Sequence, residues 1–140
     1  MRFMVIVKDD ESTEAGVLPS PEFFAEMGKY NEGLVKAGVL LAAEGLQPSS
    51  KGARVKFSGE TRTVIDGPFT ESKELIAGFW LMQVKSKEEV IEWVKRAPFD
   101  GGTELEIRQV FDADDFAPSD PTGELRAAEE RLRAQAAKTQ

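Results

Sequence analysis

The chain has 140 residues, 41% of them hydrophobic, with a formal charge of −7 and a pI of about 4.8. One domain with a real core fits that length and composition, whereas an acidic chain without a dense basic stripe is a poor partner for nucleic acid or an anionic membrane surface. It contains neither Cys nor His, which excludes disulfides, thiolate chemistry and Cys-ligated metals and removes the commonest metal ligand.

Phe3 to Val7 is a short apolar run rich in β-branched residues and reads as a strand buried on both faces. It passes into acidic Asp9-Asp10-Glu11 too soon for a signal peptide, and no apolar run approaches membrane-spanning length. A cytoplasmic protein without a membrane partner is expected. Asp9 to Leu18 reads as a polar loop. Ser20-Pro21-Glu22 opens a helix, with Ser as N-cap, Pro in the first turn and an acid at the positive end of the dipole. Phe23, Met27, Tyr30 and Leu34 give it an apolar face, and Gly38 supplies the stop.

Val39 to Leu46 reads as a second strand. A hairpin follows, with Arg54 to Phe57 and Arg62 to Ile65 flanking Gly59 at the first position of a two-residue turn. Beyond Asp66-Gly67-Pro68-Phe69, the run Leu75 to Val84 is a long strand with Ala77, Phe79 and Leu81 on one face and Trp80, Met82 and Val84 on the other. Ser86-Lys87-Glu88-Glu89 is a capping box for a helix that Pro98 ends. Glu104 to Val110 alternates as a last strand, with Leu105 and Ile107 towards the core. An acidic linker and a helix from Glu124 to about Lys138 close the chain, the helix supported by Arg126/Glu130 and Glu129/Arg133 pairs. Residues 1–111 are therefore expected as one domain and 112–140 as a linker with a C-terminal helix.

Without its hairpin this order is the βαββαβ ferredoxin-like pattern, an α+β fold whose first and third strands are central. Those are the two strands apolar on both faces. Two helices cover only one face of such a sheet. The other face is expected to pair with a second copy in a homodimer, the simpler alternative being that the C-terminal helix folds over it.

Glu44-Gly45-Leu46-Gln47-Pro48, Asp66-Gly67-Pro68-Phe69 with Lys73-Glu74, Gly78-Phe79-Trp80 and Glu106 to Phe111 together resemble the YCII-related family, also called the DGPF family. The resemblance runs from Arg2 to about Phe116. It implies a dimeric α+β barrel built from ferredoxin-like subunits, an enzyme-like small-molecule cleft and, for some members, a link to extracytoplasmic-function sigma factors. Some branches carry a His–Asp pair. This chain has no His, so that pair is not carried over.

The candidate cleft residues are Glu44, Asp66, Lys73, Glu74 and Arg108. Asp66 reads either as a cleft carboxylate or as an Asx-type turn accepting loop N–H groups. Lys73 and Glu74 line a polar pocket or form a solvated loop edge. Glu44 stands alone in an apolar strand, so it is either a buried general base or a side chain turned to solvent, and Arg108 is read as a partner for Glu44 or for a substrate anion. Phe69 reads as a loop anchor, and Trp80 as a residue of the core or of the dimer interface rather than of a ligand cleft. Asp112, Asp114 and Asp115 lack the Gly and terminal Glu of an EF-hand and read as linker. Arg54, Lys56 and Arg62 are too few for a nucleic-acid patch. No cofactor or metal is expected. The two function classes are a small-molecule enzyme or binding protein, and a non-catalytic protein-interaction module.

Overall fold

The computed structural model describes residues 1–70 and 74–139. The chain divides into two compact units, Met1–Gln109 and Val110–Gln140.

The first unit begins with strand β1 (Arg2–Lys8), a one-turn helix α1 (Glu11–Glu14) and helix α2 (Pro21–Lys36). α1 interrupts the expected loop because the Asp10 side chain caps it, accepting from the Thr13 N–H at 2.8 Å. Ser20 caps α2 in the same way, accepting from the Phe23 N–H at 3.1 Å. Gly38 ends α2 with φ +72, donating to the Val35 carbonyl while Val39 donates to that of Leu34, the crossed bonds of a Schellman motif.

Strand β2 (Leu40–Gly45), the hairpin β3 (Ala53–Ser58) and β4 (Thr61–Asp66), strand β5 (Ile76–Gln83), helix α3 (Lys87–Lys95) and strand β6 (Leu105–Gln109) follow. Four strands form an antiparallel sheet in the order β2-β5-β1-β6, and the hairpin makes a separate two-stranded sheet. This is the expected ferredoxin-like α+β fold, with β1 and β5 in the centre. Phe3, Val5, Trp80 and Met82 point to the face that carries Leu34 of α2 and Val90 of α3, and these residues are the buried core. The other face carries half-buried Met4, Ile6, Ala77, Phe79 and Leu81.

A bulge in β2 at Leu41 changes the alternation that the sequence implies. Leu40 stands opposite Met82, but Ala42 stands opposite Leu81. Leu40 and Ala43 therefore share the core face, and only Ala42 shares the face of Glu44.

In the second unit a 3-10 stretch (Ala113–Ser119) leads to helix α4 (Glu124–Lys138). Asp120 is 6% exposed and accepts from the Leu125 N–H, the Arg126 N–H and Arg126 Nε at 3.2, 2.9 and 3.1 Å. Arg126 thus turns to the cap, and to Asp114 at 3.5 Å, rather than to Glu130. Glu129 and Arg133 pair as expected at 3.2 Å. The hydrogen bonds, led by that from the Arg126 backbone, hold the Asp120 carboxyl below its ordinary value of 3.8. A depressed carboxyl stabilises the folded form above its unfolded value, and that contribution is lost as pH falls through the folded value. α4 is therefore expected to lose far-UV helical signal below about pH 4. Asp120→Ala should start with less signal at neutral pH and lose less on acidification. Identical titration curves for the two chains would show that Asp120 does not hold α4.

Candidate functional site

The polar chemistry of the first unit gathers at one end of the sheet, where β1 leaves and β5 enters. Asp9 follows β1, and its N–H donates to the Leu75 carbonyl at 3.0 Å. Glu14 ends α1. Ser49 starts a 3-10 turn (Ser49–Lys51) after β2. The Ser49 N–H donates to Glu14 Oε1 at 2.8 Å, and its hydroxyl donates to Glu14 Oε2. The same hydroxyl oxygen accepts from the Phe69 N–H at 3.0 Å. One serine therefore ties α1 to the loop after β4.

Glycine is required in that loop. The Gly67 N–H donates to the Gly52 carbonyl at 3.0 Å, and a Cβ on Gly67 would stand 1.8 Å from the Ser49 carbonyl oxygen. The Phe69 ring lies under the Arg54 guanidinium, 3.8 Å from its centroid. These contacts give Phe69 the anchoring role expected of it.

Two carboxyl groups in this knot are driven apart. Partial burial raises Asp9 above its ordinary value of 3.8. The Asp10 N–H, 2.9 Å away, opposes that shift, and a hydrogen bond to Glu14 and its charge add to it. Glu14 is lowered from 4.5 by the Ser49 hydroxyl first, then by the Ser49 N–H. Of the two, Asp9 is thus the group with the greater proton affinity, and Glu14 is the acceptor engaged by Ser49.

The sequence-derived candidates fall unevenly around this knot. Asp66 ends β4 beside it and is exposed. Among the described residues no donor reaches the Asp66 carboxylate, and Ser49 supplies a side-chain bond to the loop backbone at the Phe69 N–H. Glu74 is exposed just before Leu75, the partner of Asp9. Lys73 lies outside the described residues. Glu44 is exposed on the sheet face opposite the core, one residue from the end of β2. Arg108 is also exposed on that face, but on β6 opposite Met4. Glu44 and Arg108 therefore occupy opposite edge strands, about 14 Å apart across three strand spacings, and do not pair. Arg108 approaches Glu106 at 3.9 Å, and Glu106 binds Lys8 at 3.0 Å. The Lys8 hydrogen bond leads the effects that hold Glu106 below its ordinary value.

Asp9, Glu14 and Ser49 were not among the expected site residues. Asp10 followed by Thr13 and Glu14 is a legible capped turn, and it would have placed Glu14. Nothing in the spacing links Glu14 to Ser49, which is 35 positions away. No group of three or more Asp or Glu among the described residues is arranged to hold a metal ion. No helix among them is long and apolar enough to cross a membrane.

Among solved structures, 5-chloro-2-hydroxyhydroquinone dehydrochlorinase from Burkholderia phenoliruptrix AC1100, in complex with 2,5-dihydroxybenzoquinone, is 19% identical with a TM-score of 0.42 over 81% of this chain and 98% of that one. An uncharacterised protein of Rhizobium meliloti (strain 1021) is 30% identical over 97 residues, 68% of this chain and 78% of its own length. The model of the YCII-related domain matches residues 1–116, and with that coverage the chain belongs to the YCII-related family.

Proposed function

We propose that this chain is a homodimeric protein that binds a small polar molecule at the open end of its sheet, where Asp9 exchanges a proton with the ligand and Glu14 stays ionised. The reading is carried by one observation: Glu14, Ser49 and Phe69, from three separate segments, are tied together at this end of the sheet, and the surroundings of Asp9 and Glu14 push their proton affinities in opposite directions. Such a pair assigns an acid and its fixed counter-charge, and a chain without His or Cys has carboxyl groups as its natural means of proton transfer. Asp66 and Glu74 lie beside this site and supply its polar rim, and Lys73 adjoins Glu74 in sequence. Glu44 belongs to the same end of the sheet, and Arg108 serves the neighbouring sheet face. The second copy is placed on that face, because within residues 1–109 both long helices pack on the other one. The half-buried Met4, Ile6, Phe79 and Leu81 lie there, and a two-fold axis would set this apolar group against itself.

The linkage signs give a test. A raised carboxyl such as Asp9 stabilises the fold at low pH, and that contribution is lost as pH rises through its folded value. A lowered one such as Glu14 stabilises above its unfolded value, and the gain is lost as pH falls through its folded value. The pair is therefore most stabilising between the two folded values. Carboxyl-carbon NMR titration is expected to place Asp9 above 3.8 and Glu14 below 4.5. Ser49→Ala should move Glu14 upward. Fragments drawn from small phenols, carboxylic acids and carbonyl compounds should shift the amides of Asp9, Ser49 and Phe69 together, and Asp9→Asn should weaken those shifts. Ordinary titration at both groups, or fragment shifts scattered away from this end, would refute the reading.

A further inference from the structure

The dipeptide Asp-Gly stands at Asp66-Gly67 and again at Asp100-Gly101. Chemically the two are alike: the nitrogen of the glycine can approach the aspartyl Cγ with no side chain of its own in the way. The fold treats them differently. Asp100 to Thr103 form a β-turn between α3 and β6, closed by the Thr103 N–H on the Asp100 carbonyl at 3.3 Å. Gly102 takes the third position with φ +93, as a type II turn requires. Such a turn uses the first carbonyl and the fourth N–H, and leaves the second N–H, that of Gly101, without a bond. Among the described residues no acceptor meets the Gly101 N–H and no donor meets the Asp100 carboxylate. Both residues are exposed, and a Cβ on Gly101 would have nothing within 4 Å. Gly67 stands in contrast. Its N–H is committed to the Gly52 carbonyl at 3.0 Å, and it is packed against the Ser49 turn so closely that an added Cβ would stand 1.8 Å from the Ser49 carbonyl oxygen.

We propose that Asp100-Gly101 is a site of spontaneous isoaspartate formation, and that the fold protects Asp66-Gly67 from the same reaction. The Gly101 nitrogen adds to Asp100 Cγ. A C–N bond forms, a C–O bond of the carboxyl group breaks, and the amide proton leaves with the hydroxyl as one water. The product is a succinimide. Water then opens the ring at either carbonyl. Opening at Cγ restores aspartate. Opening at the main-chain carbon leaves the chain running through Cβ and Cγ, with a free α-carboxylate and no net change of mass. The inserted backbone atom follows Phe99, whose ring packs against Phe23 and Trp80 at 5.7 and 6.1 Å, so the change falls beside a core contact. The new α-carboxylate is the acceptor that an S-adenosylmethionine-dependent isoaspartyl methyltransferase requires, which makes the aged chain a substrate for that class of enzyme. The site is independent of the ligand site proposed above.

Prolonged warm incubation of the full chain at neutral pH, below its melting transition, tests this. Trypsin places Asp100 in a peptide of residues 97–108 and Asp66 in one of residues 63–73, and electron-transfer fragmentation distinguishes isoaspartate from aspartate in each. In the folded chain isoaspartate is expected to form at Asp100 ~10-fold or more faster than at Asp66, because reaction at Asp66 needs a local opening first. In urea the two rates should converge. Gly101→Ala should keep the wild-type Tm and slow the reaction several-fold. No isoaspartate in residues 97–108, under conditions where the unfolded chain forms it, would overturn the site. Equal rates in the folded chain, or a gap that persists in urea, would overturn the protection of Asp66.

Discussion

Gly67→Ala is expected to destabilise the chain by on the order of 3 kcal/mol, a fall of roughly 10 °C in Tm. The added Cβ would lie 1.8 Å from the Ser49 carbonyl oxygen and 2.6 Å from its carbon. Both are backbone atoms, so no change of rotamer relieves the clash. The Ser49 carbonyl is itself held, accepting from the Gly52 N–H at 2.9 Å. Either the 3-10 turn or the loop after β4 must move. Any such movement strains the Phe69–Ser49 and Ser49–Glu14 bonds as well. The variant should therefore also bring Glu14 back towards its ordinary titration. Gly28→Ala is the control. Gly28 is an exposed residue of α2 with nothing within 4 Å of an added Cβ, and there alanine should stabilise by about 1 kcal/mol. A Gly67→Ala chain that melts with the wild type would show that turn and loop do not touch.

Trp80→Ala is expected to cost about 4 kcal/mol in urea unfolding. Trp80 is 5% exposed, with Tyr30 and Phe99 edge-on at 5.6 and 6.1 Å. Its Nε1 donates to Asn31 Oδ1 at 2.8 Å. Trp80 therefore joins β5 to α2 and to the segment after α3. Removing it opens a cavity between layers and leaves the Asn31 carbonyl oxygen without that donor. Trp80→Phe separates the two effects: it keeps an aromatic ring and loses the hydrogen bond, so its cost should be nearer 1–2 kcal/mol, about that of one unmet polar group. A Trp80→Ala penalty below that of Trp80→Phe would contradict this division.

The part of the fold that was legible in advance depends on local signals. The cap at Ser20, the stop at Gly38, the turn at Gly59 and the alternation of Phe79 and Trp80 each act within a few residues, and the structure shows all four. Glu44 shows where such reading ends. Strict alternation puts Leu40 on its face, but the bulge at Leu41 moves Leu40 to the core. A bulge is chosen by how β2 meets β5, and the sequence of β2 does not record that choice. Asp66 shows the same thing in another form. Its neighbours Gly67 and Pro68 marked a tight loop correctly, while the side chain that bonds the loop backbone is Ser49, from a different element.

The sequence by itself determined the family, the order of strands and helices, the two strands apolar on both faces and the lack of any His or Cys side chain. Those properties follow from residue type and short-range spacing, which do not depend on the rest of the chain. Only the tertiary structure decided that Asp9, Glu14 and Ser49 meet beside Gly67 and that Glu44 and Arg108 stand on opposite edges. Each of these is a contact between segments far apart in sequence. Proton affinity is set by those contacts as much as by the residue that titrates.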